Sequence, residues 1–156
     1  MLPLARRPKV DDPRDRVTLY TPPILALATA LADFPLTDRL DHRATTRSRT
    51  CGSVITLGLT QDAAGLIEAV GMQVSACAIG QASAAIMAQG LIGRSDDDVR
   101  AVHQGLKDWL AGEGDLPEWP QISLLAPALP HKGRHGALLL PWTAAVEALC
   151  SAEARR

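Results

Sequence analysis

From Val54 to Leu91 the hydrophobic pattern changes period once, and it changes at a cysteine. Ile55, Leu57 and Leu59 alternate with Thr56, Gly58 and Thr60, the period of two that marks a strand with one buried face. Gln61-Asp62-Ala63-Ala64-Gly65 carries turn chemistry, and Leu66 to Ser75 alternates again with Val70, Met72 and Val74 on one face. Beyond Ser75-Ala76-Cys77 the residues turn small and helix-compatible through Leu91, with Ile79, Ala82 and Ile86 aligned at helical spacing. A hairpin whose return strand feeds directly into a helix fits few folds. Its apolar face has to be covered by helices, which predicts an α+β domain: a small antiparallel sheet packed against a layer of helices.

The flanking segments supply that layer. Residues 1–18 are charged and proline-containing and read as a flexible arm, leaving residues 19–156 as a single domain. Thr21-Pro22-Pro23 has the form of an N-cap and first turn, and Ile24, Leu27, Ala28 and Leu31 give the stripe of a helix that ends near Asp33, before Pro35. Residues 37–50 are polar, show no periodicity and read as a loop leading to Cys51. Gly93 is a helix C-cap, and Ser95 caps a further helix with Asp96, Asp97 and Asp98 in its first turn and Val99, Val102, Leu106 and Trp109 as its buried stripe. Prolines break residues 117–133, leaving one short helix from Ile122 to Ala126. Leu139, Trp142, Val146 and Leu149 mark the last helix, and Pro141 either places its regular start near Leu140 or kinks it there.

Composition narrows the function classes. A chain of 156 residues with 47% hydrophobic content buries about 70% of its unfolded surface without disulfide staples. The net charge of −1 shows no basic excess and argues against nucleic acid as a partner. No apolar run approaches the ~18 residues of a membrane span, and the acidic start (Asp11, Asp12, Asp15) holds no export signal. Three cysteines give no disulfide framework, and the expected compartment is a reducing cytoplasm.

Two of those cysteines sit where a thiolate is favoured. Cys77 falls at a helix N-terminus, near free backbone N–H groups and the positive end of the macrodipole; Cys51 follows a basic stretch with Arg43, Arg47 and Arg49. The hairpin between them can bring both sulfurs to one end of the sheet. His135 is a third candidate ligand and His131, close by, an alternative to it. Soft thiolates with an imidazole suit zinc or an iron–sulfur cluster. Cys150 reads as a small core residue, Trp109 and Trp142 as core, and His42 and His103 as surface groups. No orienting acid or oxyanion motif accompanies the cysteines, so ordinary hydrolase chemistry has no support.

Taken together, Cys51-Gly52-Ser53 before an apolar strand, Ala76-Cys77-Ala78-Ile79-Gly80-Gln81-Ala82-Ser83-Ala84-Ala85-Ile86-Met87, Gly93-Arg94-Ser95 and Arg134-His135-Gly136-Ala137-Leu138-Leu139 follow a familiar order. With these residues the chain resembles the U-type iron–sulfur cluster assembly scaffolds, the type of IscU, SufU and the NifU N-terminal domain, over residues 20–150. The resemblance implies a carrier and not an enzyme. Its site is Cys51, Cys77 and His135, its cargo a transient [2Fe–2S] cluster or zinc, and its partners a cysteine desulfurase and iron–sulfur acceptor proteins. Ser53 stands where that family has an aspartate, and Gly136 where it has a third cysteine. Its Asn-Pro-Arg-Asn loop is missing, and Leu129-Pro130 matches only the start of its Leu-Pro-Pro-Val-Lys motif. The long stretch between Cys77 and His135 is nearer the SufU-like branch. Three matched ligands leave the set to be completed by water, a partner or a second copy of the chain in a homodimer. The departures keep two other readings open: a regulatory or interaction protein on the same fold, and a zinc-dependent sulfur-transfer protein.

Overall fold

The computed structural model describes residues 19–49 and 52–154; the expected arm at 1–18 lies outside them. Helix α1 (Pro22–Ala30) starts as its sequence predicts. The Thr21 hydroxyl accepts the Ile24 N–H at 3.4 Å, prolines fill the first two helical positions, and a 3₁₀ turn over Leu31–Asp33 ends it.

Strands β1 (His42–Arg47), β2 (Val54–Gln61) and β3 (Ile67–Ser75) form an antiparallel sheet in the order β1-β2-β3. The register places Ala44, Leu57 and Met72 in one row and Thr46, Ile55 and Val74 in the next. This is the core face, where Ile55, Leu57 and Leu59 are fully buried. At the hairpin turn the Asp62 carboxylate accepts the N–H groups of Ala64 and Leu66 at 2.9 and 3.0 Å. On the opposite face Gly58 pairs with Gly71, and the segment from Phe34 to Leu40 crosses over them. The Met72 N–H donates to the Phe34 carbonyl at 2.9 Å, and a side chain at Gly71 would run into the Pro35 carbonyl oxygen. Both glycines are there for that close approach.

β1 corrects the expectation of a loop over residues 37–50. Ala44 is its one apolar residue, so no hydrophobic alternation announces it. It forms because β2 offers a ladder and because the Thr45 and Thr56 hydroxyls pair across the strands at 3.0 Å.

Helices α2 (Ala78–Leu91), α3 (Asp96–Leu110) and α4 (His135–Ala154) complete the described elements, with 3₁₀ turns at Ile122–Ala128 and Lys132–Arg134. α2 is buried on almost every side because Ala82, Ser83, Ala84, Ala85 and Ala88 let neighbours approach closely. α1, α4 and β3 pack around it, and α4 also lies on β1 and β2. At α3 the Ser95 hydroxyl accepts the Asp98 N–H while the Asp98 carboxylate accepts the Ser95 N–H, a full capping box.

α4 begins at His135, a full turn ahead of the start that Pro141 indicates. Proline at 141 deprives the Ala137 carbonyl of its helical donor. The neighbouring carbonyl, Leu138, is served from α2 instead: the buried Ser83 hydroxyl donates to it at 2.6 Å and accepts the Trp142 Nε1–H at 3.0 Å. Trp142 meets the edge of Trp119 with ring centres 5.0 Å apart, and the Trp119 indole donates to the Ile86 carbonyl at 3.0 Å. By length and composition residues 132–154 are apolar enough to cross a membrane. Their apolarity is that of a core helix, since Leu138, Trp142, Ala145 and Leu149 are fully buried.

Three side chains differ from expectation. Cys150 is exposed, 3.4 Å from the Arg100 guanidinium, because its position falls on the outer side of α4. His103 is half-buried with Nε2 3.1 Å from the Thr143 hydroxyl, and His42 is half-buried on the core face of β1.

Candidate functional site

The site is built at one end of the sheet. Val54, the first residue of β2, pairs with Ser75, the last of β3, and with Arg47, the last of β1. A bond from the Ser48 N–H to the Ser53 carbonyl at 2.9 Å carries the ladder one step further. Gly52 enters β2 through a left-handed conformation (φ 70°), and Ser53 is buried behind it. On the other strand the chain leaves Ser75 through Ala76 and Cys77 into α2. Gly52, Ser53, Ser75, Ala76 and Cys77 together line an open depression of about 240 Å3.

Cys77 occupies the N-cap of α2 with extended backbone (φ −66°, ψ 169°), as its sequence setting predicts. Its carbonyl accepts the Gln81 N–H at 3.0 Å, closing the first turn. Its side chain accepts no capping hydrogen bond and is half-exposed at the depression. A sulfur there sits beside the positive end of a fourteen-residue helix, an arrangement that favours an anionic group. Cys51, the other expected thiolate, lies outside the described residues; the residue after it, Gly52, is on the rim.

His135 opens α4 and is half-buried. Its Nε2 lies 2.8 Å from the Leu129 carbonyl. A carbonyl only accepts, so the ring proton is on Nε2 and, in the neutral ring, Nδ1 carries the lone pair. Metal-ligating imidazoles commonly hold their other N–H on a carbonyl in this way. The first turn of α4 closes on the first turn of α2 at Gly80, where a Cβ would stand 3.3 Å from the Ala137 Cβ and carbonyl oxygen and 2.8 Å from the Ala76 Cβ. Glycine at 80 therefore lets the segment that carries His135 approach the helix tip that carries Cys77. Gly136 is exposed in that turn, and His131 precedes the Lys132–Arg134 turn without capping it through its side chain. Among the described residues no three His, Cys, Asp or Glu side chains gather within reach of one metal ion. Ser75 and Ala76 were not foreseen as site residues; the hairpin register, which sets Ser75 opposite Val54 beside Gly52-Ser53, was the signal for them.

No protein-family model matches the chain, and no curated protein matches it significantly. Solved structures do. The crystal structure of a nitrogen-fixing NifU-like protein (N-terminal) from Brucella abortus is 29% identical, with a TM-score of 0.82 over 89% of this chain and 97% of that one. A putative iron–sulfur cluster assembly scaffold protein for the SUF system from Fervidobacterium islandicum AW-1 is 21% identical, with a TM-score of 0.76 over 84% of this chain and 96% of that one. The architecture is thus the expected α+β one, a three-stranded antiparallel sheet under a layer of helices. More narrowly, it is the U-type scaffold fold, in agreement with the resemblance carried by the Cys77 motif.

Proposed function

We propose that this chain is a divergent iron–sulfur cluster assembly scaffold, a carrier that holds a transient [2Fe–2S] cluster or metal ion as cargo and passes it on. The observation that carries the proposal is Cys77: an N-cap thiol, half-exposed, lining a depression at the sheet end where Gly52-Ser53 also stands, in a fold shared with a NifU-like protein. Cys51 and Cys77 would be the thiolate ligands and the Nδ1 atom of His135 a third. The N–H groups at the tip of α2 favour negative sulfur at Cys77, and the depression leaves room for cargo to enter and leave. A cysteine desulfurase supplies the sulfur, and acceptor proteins receive the cluster. With Ser53 and Gly136 contributing neither carboxylate nor thiolate, water, a partner or a second copy of the chain completes the set.

The test is anaerobic reconstitution with ferrous iron and sulfide, followed by iron and acid-labile sulfide analysis. The wild type and Cys150→Ala should bind both. Cys77→Ala should bind neither stably, and full iron and sulfide in that variant would refute the ligand assignment. The absence of a three-ligand group among the described residues favours one second reading, an interaction protein that keeps the fold without the cargo. That protein would bind a desulfurase yet take up no iron and sulfide.

A further inference from the structure

One buried polar group at this end of the sheet has nothing to bond to. Thr46 is 6% exposed, and its hydroxyl has no hydrogen-bond partner. It stands opposite Ile55 in the register, on the core face over which α4 packs, one residue before β1 ends. Along β2 the same face continues from Ile55 to Ser53, a lining residue of the Cys77 depression. Thr46 and Ser53 are thus diagonal cross-strand neighbours, with Cβ atoms about 7–8 Å apart. Valine has nearly the shape of threonine and higher strand preference, and would avoid the orphaned hydroxyl. A sequence that keeps an unsatisfied hydroxyl in a packed strand is destabilising its empty state, a departure from local consistency expected at functional sites.

We propose that Thr46 is a positioning residue of the cargo site, whose hydroxyl donates a hydrogen bond to an anionic sulfur, a ligand thiolate or a bridging sulfide, once cargo is held. This rests on the scaffold reading above. Sulfur in such a site is a charged acceptor, and hydrogen bonds to it tune both retention and potential. The geometry suits it: the hydroxyl is shielded from water by α4, so no solvent competes for it, and it lies on the inner side of the depression.

The experiment compares wild type, Thr46→Val and Thr46→Ser. Without cargo, Thr46→Val should melt at the same temperature as wild type or higher, because a buried orphan has been removed. After anaerobic loading with ferrous iron and sulfide, it should lose iron to a chelator about tenfold faster, the effect of one hydrogen bond to a charged acceptor. Its reduction potential should also fall, since the lost donor no longer draws charge from sulfur. Thr46→Ser, which keeps the hydroxyl, should release iron at the wild-type rate. If Thr46→Val instead lowers the melting temperature of the empty protein, the hydroxyl is structural and the proposal is overturned. Equal release rates and potentials in loaded wild type and Thr46→Val would overturn it while leaving the scaffold reading intact. A wild type that takes up no iron and sulfide would sink both.

Discussion

Replacing Ser83 by alanine removes one oxygen and strands two buried groups. The hydroxyl is fully buried, donates to the Leu138 carbonyl at 2.6 Å and accepts from the Trp142 indole at 3.0 Å. An unpaired buried donor or acceptor costs about 1–3 kcal/mol, so the two together cost about 2–5. The higher helix propensity of alanine offsets roughly 0.5 kcal/mol of that. Neither stranded group has a ready replacement, since Trp142 is enclosed against Trp119 and Pro141 brings no N–H to the adjoining turn. The expected net loss is about 2–4 kcal/mol, which in a chain of this length lowers the melting temperature by about 5–15 °C. Urea unfolding followed by far-ultraviolet circular dichroism measures it without relying on the tryptophan that is perturbed. A second background isolates the cause. In Trp142→Phe there is no indole N–H to strand, so Ser83→Ala should cost less there than in the wild type. A loss below about 1 kcal/mol in the wild-type background, or an equal loss in both, would refute this account of the α2–α4 contact.

Three further outcomes are expected. Gly71→Ala should unfold the chain or destabilise it severely, because the new methyl meets the backbone of Pro35 and not a movable side chain; a melting curve within a few degrees of wild type would show that the 34–40 segment moves aside at little cost. Burial, and then the charge of Lys107, hold the His103 pKa below its usual value, so the unfolded chain takes up this proton more readily than the folded one. Stability should therefore be complete above the ordinary histidine value near ~6.5 and decline as pH falls through it toward the lower folded value; His103→Gln should abolish that part of the decline in denaturant midpoints measured across the range. Gly136→Cys, which restores a thiol in the first turn of α4, should slow iron loss to a chelator under anaerobic conditions, and an unchanged rate would mean that position 136 does not face the cargo.

The hairpin and α2 were legible because local pattern and tertiary role agree in them. Ile55, Leu57 and Leu59 alternate because one face of β2 is buried, and Ala78–Leu91 is small throughout because other elements press on it from several sides. β1 was not legible, since its six residues hold a single alanine as apolar signal and its stability comes from pairing with β2 and covering by α4. The start of α4 was misplaced for a related reason. Proline marks a helix boundary when the carbonyl it orphans must face water or apolar neighbours, whereas here the orphaned turn packs on α2 beside the Ser83 hydroxyl. Cys150 was taken for core because the last helix is apolar nearly all round, which hides the face that Arg100 and Glu153 occupy.

The candidate site divides along the same line. Cys77 was readable because an N-cap is a local fact: a strand ends, a helix begins, and the residue between them takes the cap. His135 was readable only as a histidine at a plausible distance in sequence, since its placement depends on Gly80 admitting the first turn of α4 and on the Leu129 carbonyl fixing its ring proton. Thr46 was not readable at all, because an unpaired hydroxyl is a property of a packed interior and leaves no trace in spacing or composition. A site gathered at one sheet end from three strands and two helix tips will show its helix caps to the sequence first and its buried donors last. Resemblance to a family sharpens the caps, since they are motif residues, but it carries nothing about a donor such as Thr46, which lies outside every motif quoted for it. In a chain that departs from that family at Ser53 and Gly136, such unmarked neighbours are where compensation for the missing ligands has to be sought, and the release rates of Thr46→Val and Gly136→Cys, measured side by side, ask whether the two act on the same cargo.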